Sequence, residues 1–81
     1  MRPVNLALYS PAEHLAAAEI LERVAADLTA GREASVLGSD GPRRVVGLAF
    51  GLYAEQPEGL PDAEAYACAA KVARGSVREE A

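Results

Sequence analysis

Few side chains in this chain could carry chemistry, and they are scattered. His14 is the only histidine. It stands four residues after Ser10 and close to Tyr9. A histidine beside a phenol could carry a proton near neutral pH. Nothing nearby in sequence orients it, so packing at a helix start, against Tyr9, is the preferred reading. Ser10 reads as a helix cap rather than a nucleophile. Cys68 is the single cysteine. It falls in mid-helix, away from a helix N-terminus that would activate a thiol, and is read as a small hydrophobe. Asp40 lies in Ser39-Asp40-Gly41-Pro42, where turn chemistry accounts for all four residues. No spacing of ligands suggests a metal, and no cofactor is implied.

Two further groups invite a binding role. Arg32, Arg43 and Arg44 flank that turn, and a hairpin with basic residues at its tip can enter a nucleic-acid groove. Against this stands a formal net charge of −4, which opposes the phosphate neutralisation that supplies most nonspecific affinity. The second group is Gly47, Ala49, Gly51 and Tyr53. Read as alternate residues of a strand, they form one smooth face, which glycine favours where another backbone comes close. Leu15, an apolar residue among polar neighbours on its helix, joins them as a candidate interface.

The elements that would position these residues follow from local pattern. Val4 to Tyr9 alternates in the manner of a strand. Ser10-Pro11-Ala12-Glu13 is a capping box with proline at the first helical position. It predicts a helix from Pro11 to about Ala30, stopped by Gly31. Ala17, Ile20, Leu21, Val24 and Leu28 form its inner stripe at three-four spacing. Ala34 to Ser39 reads as a second strand and Arg43 to Ala54 as a third, joined as a hairpin. Pro61 or Asp62 opens a second helix that Arg74-Gly75 closes. Its expected inner stripe is Ala65, Ala69 and Val72, flanked by Tyr66 and Cys68. Residues 76–81 are a polar tail expected to fray.

The resulting expectation is an α+β domain over residues 1–75. It is a two-layer β-α-β-β-α sandwich with both helices on one face of a three-stranded sheet. A short last strand at 76–79 would make it a ferredoxin-like variant.

At 81 residues the chain suffices for one domain, and its 51% hydrophobic content is too high for a disordered segment. The core is thin, because alanine supplies much of that content and there is one Phe and no Trp. Small domains with thin cores often self-associate. The short N-terminal apolar run is too brief for a signal peptide, and no stretch approaches the roughly 20 apolar residues of a membrane span. A cytoplasmic location is therefore expected. The Arg, Ala and Gly richness fits high-GC bacterial coding. Together these features predict a small acidic accessory or regulatory protein, not an enzyme, that acts through protein contacts and forms a homodimer. The alternatives are a nucleic-acid-associated protein using Arg32, Arg43 and Arg44, and a small ligand binder or enzyme around Tyr9 and His14.

Overall fold

The computed structural model describes residues 5–32 and 43–80, the last five of these by backbone alone. A 3-10 turn over Leu6–Leu8 leads into three helices: α1 (Pro11–Thr29), α2 (Arg43–Ala54) and α3 (Asp62–Glu80). Among the described residues there is no strand. The expected α+β sandwich and its ferredoxin-like variant are therefore replaced by a small helical bundle.

α1 forms as its sequence dictates. The Ser10 hydroxyl accepts from the Glu13 N–H at 3.2 Å, and Glu13 Oε1 accepts from the Ser10 N–H at 2.9 Å. Two donors that an open helix end would leave bare are thus satisfied. The far end closes on Gly31 at φ 77°. Its N–H donates to the Leu28 carbonyl at 3.1 Å, and the Arg32 N–H donates to the Asp27 carbonyl at 2.8 Å. This is the paired closure that a left-handed glycine permits.

Two corrections follow from the rest. Within the segment read as the first strand, Asn5 bends the chain: its side chain accepts from the Ala7 N–H at 3.1 Å and caps the 3-10 turn. A side chain that bonds the backbone two residues on competes with an extended ladder. The second strand, Ala34 to Ser39, and the turn at 39–42 lie outside the described residues. The third strand is the helix α2. From Val45 to Tyr53 nearly every residue is apolar, so period two and period 3.6 fit equally well. Burial decides between them. Val45, Leu48, Ala49 and Leu52 are buried, at i, i+3, i+4 and i+7, the inner face of a helix.

α3 also differs in detail. It begins at Asp62, as expected, but passes through Gly75 and ends at Glu80. Gly75 keeps a negative φ, so it continues the helix rather than stopping it. The buried stripe is Ala65, Ala69, Ala70 and Ala73, while Val72 is 42% exposed. Three-four spacing from Ala69 allows either Val72 or Ala73, and the neighbouring helix takes the smaller. α1 contributes Ala17, Ala18, Ile20, Leu21, Val24 and Ala25 to the core. With alanine this frequent on both sides, the axes of α1 and α3 can approach to the near end of the usual range, about 8 Å.

Side-chain pairs give the order of the helices. Arg44, near the start of α2, meets Glu13, near the start of α1. Tyr53, near the end of α2, meets Asp62 at the start of α3. The last turn of α1 and the first turns of α3 line one groove. α1 and α2 therefore begin at the same end of the bundle, and α3 returns alongside both.

Candidate functional site

The N-terminal end holds the residues that the sequence suggested for ligand chemistry, and it holds them as a clamp. His14 is fully buried. Its Nε2 lies 2.9 Å from the Leu6 carbonyl oxygen. A carbonyl can only accept, so Nε2 carries the proton. The other ring nitrogen, Nδ1, is buried without a hydrogen-bond partner among the described residues. Tyr9 faces elsewhere: the Arg44 guanidinium sits 4.8 Å from its ring centre. The same guanidinium donates to Glu13 Oε2 at 2.8 Å and to the Leu8 carbonyl at 2.6 Å. Tyr9 and His14 thus belong to one assembly but do not point at a common reacting atom. What this arrangement does is fasten the Leu6–Leu8 turn across the starts of α1 and α2.

Charge at the clamp is set by pairing. Arg44 holds the Glu13 carboxyl down to about 2, helped by the Ser10 N–H. On the opposite side of α1, Arg74 grips Glu22 with two nitrogens, Nη2 reaching Oε1 at 2.7 Å, and likewise lowers that carboxyl below its usual value. Both carboxylates are more acidic folded than unfolded. The Glu13 contribution is present above about 4.5 and fades as pH falls toward about 2, and that of Glu22 is lost in the same direction. Thermal melts along that descent should show a falling midpoint, and Glu13→Gln should flatten the fall. A midpoint independent of pH in this window would show that neither pair contributes to stability.

The three arginines suggested for nucleic acid do not converge. Arg32 pairs with Asp27 at 3.0 Å beyond the last turn of α1, and Arg44 pairs with Glu13 at its first turn. Their anchors on α1, Glu13 and Asp27, lie 14 residues apart, about 21 Å along the helix at 1.5 Å per residue. Arg43 is exposed at the start of α2.

The smooth face read from a strand is redistributed by the helix. Ala49 turns into the core and is fully buried, whereas Gly47 is exposed. Gly51 and Tyr53 are half-buried on two different flanks of α2. Leu15 is 38% exposed on α1, away from these residues in sequence register. In place of the strand face, the outward side of α2 carries Arg43, Gly47, Phe50 and Ala54, all exposed. Phe50, the only phenylalanine, is 46% exposed. In a strand, alternation would put Phe50 on one face with Val46, Leu48 and Leu52. At helical spacing it falls opposite Leu48.

A cleft of about 290 Å³ opens at the C-terminal end of this face. Tyr53, Ala54, Gln56, Glu58 and Asp62 are among its walls. The Tyr53 hydroxyl donates to Asp62 at 3.1 Å, and its ring stacks on Tyr66 with centroids 4.2 Å apart. The bond to Asp62 raises the Tyr53 hydroxyl above its ordinary value, and burial does the same for Tyr66. The cleft thus has a rigid aromatic wall and two carboxylates. A separate groove of about 460 Å³ between α1 and α3 is lined mainly by alanines. Among the described residues no group of three or more His, Cys, Asp or Glu could hold a metal ion. Among them, too, no helix is long and apolar enough to cross a membrane.

Fold and surface together define a class: a three-helix bundle with a clamped N-terminal turn and a second helix that is apolar on both its inner and outer sides. No family model, curated protein or solved structure matches the chain.

Proposed function

We propose that this chain is a non-enzymatic interaction module that binds protein through the outer face of α2, and that it self-associates there. The observation carrying this reading is that α2 has no charged residue after Arg44. A surface helix ordinarily turns a polar face to water, and one that is apolar all round is ordinarily covered. Here the inner face is covered by α1 and α3, while the outer face presents Phe50, Gly47 and Ala54 to solvent. The N-terminal clamp does not compete with this, since His14 and Arg44 are engaged in holding the chain together.

Light scattering over a concentration series, at low and high salt, tests the proposal. A dimer at both salts, lost on Gly47→Glu with helix content unchanged, is the expected result. The substitution meets open space within the monomer, where nothing lies within 4 Å of a Cβ at this position. A monomer throughout, or a dimer indifferent to Gly47→Glu, would sink the reading.

A further inference from the structure

We infer that the second copy packs antiparallel on α2, with its Phe50 over Gly47 and its Arg43 entering the cleft formed by Tyr53, Glu58 and Asp62; this rests on the self-association proposed above. Three observations carry it.

The first is the pattern of the face. Arg43, Gly47, Phe50 and Ala54 are spaced four, three and four residues apart, the same read in either direction. A two-fold contact requires a surface complementary to itself. Antiparallel pairing about the middle of this stripe sets Gly47 opposite Phe50 and Arg43 opposite Ala54.

The second is shape. Phe50 protrudes, and Gly47 leaves open space where a side chain would stand. Antiparallel pairing puts a protrusion over a gap twice. Parallel pairing sets the two Phe50 rings against each other and the two gaps together.

The third is charge. α2 begins with Arg43 and Arg44 and is followed by Glu55 and Glu58. Two arginines at a helix N-terminus sit at the positive end of its dipole, an unfavourable place for them. Arg44 is answered within the chain by Glu13. In the antiparallel pair Arg43 reaches the other copy's cleft, where Glu58 and Asp62 supply negative charge and the Tyr53 ring a flat wall.

Charge-reversed mixtures test the register. Arg43→Glu alone places carboxylates opposite each other at both ends of the dimer, and Glu58→Arg alone places guanidiniums there. Each should weaken self-association about tenfold, since two exposed pairs are changed from attraction to repulsion. An equimolar mixture of the two variants should regain wild-type affinity, because both contacts in the heterodimer are then of opposite charge. Sedimentation equilibrium reads all three. A wild-type dimer that Gly47→Glu dissociates, with no recovery in the mixture, overturns the antiparallel register while the α2 face stands. A wild-type monomer overturns the register and the self-association reading together.

Discussion

Leu48→Ala should destabilise the protein by about 3 to 5 kcal/mol, the largest effect of any single truncation on α2. Leu48 is fully buried and, with Leu21, His14 and Val24, among the largest side chains that are so. Its removal leaves a void that alanine-rich neighbours have little means to fill. For a chain of this length each kcal/mol corresponds to roughly 4 to 8 °C of melting temperature, so the midpoint should fall by tens of degrees. The informative comparison is Phe50→Ala, two residues away and larger. As Phe50 is half-exposed, it should change monomer stability by about 0.5 kcal/mol at most. In a strand the two side chains would share a face and cost alike. In the helix they lie on opposite sides. Equal losses in urea unfolding would therefore contradict the helical register of α2, and with it the docking face.

His14→Ala should cost about 3 kcal/mol and loosen the N-terminal clamp specifically. Two effects add: the emptied volume of a buried ring, and the loss of the hydrogen bond to the Leu6 carbonyl, worth about 1 kcal/mol. Hydrogen exchange should rise at residues 6–9 and in the first turn of α1 before it rises in α3. His14→Leu separates the contributions. It restores most of the volume and also removes the buried Nδ1 that lacks a partner, so it should recover more than half of the loss. Wild-type stability in His14→Ala would mean that the buried ring does not hold the clamp. A buried histidine bonded to the Leu6 carbonyl is placed as a structural bolt, the packing role that the sequence favoured over a proton carrier beside Tyr9.

The parts of this fold that were legible in the sequence are those with local causes. The capping box at Ser10 and Glu13, Pro11, and the left-handed stop at Gly31 each act within a few residues. α1 accordingly begins and ends where they place it. Ala17, Ile20, Leu21 and Val24 of its inner stripe were legible too, because polar residues mark its outer side, while Leu28 is only half-buried. α2 was not legible, and the cause is the property that makes it interesting. Without polar residues after Arg44, no periodicity distinguishes a strand from a helix. The side of α2 that meets solvent could not be read either: alternation separates Leu48 and Ala49 onto opposite faces, whereas the helix buries both and exposes Phe50. Arg44 with Glu13 and Arg74 with Glu22 join residues 31 and 52 positions apart, and no local signal announces such pairs.

The sequence by itself thus determined the first helix with both its ends, the start of the last helix, the thin alanine-rich core and the acidic balance. All of these depend on side chains bonding or packing against their own segment, or on composition alone. Only the tertiary structure decided that residues 43–54 are helical, that His14 and Arg44 fasten the N-terminal turn, and that Phe50 and Gly47 face outward. An apolar run takes its conformation from the surface available to cover it. Here that surface is supplied by α1 and α3, which bury one side of α2 and leave the other apolar and open.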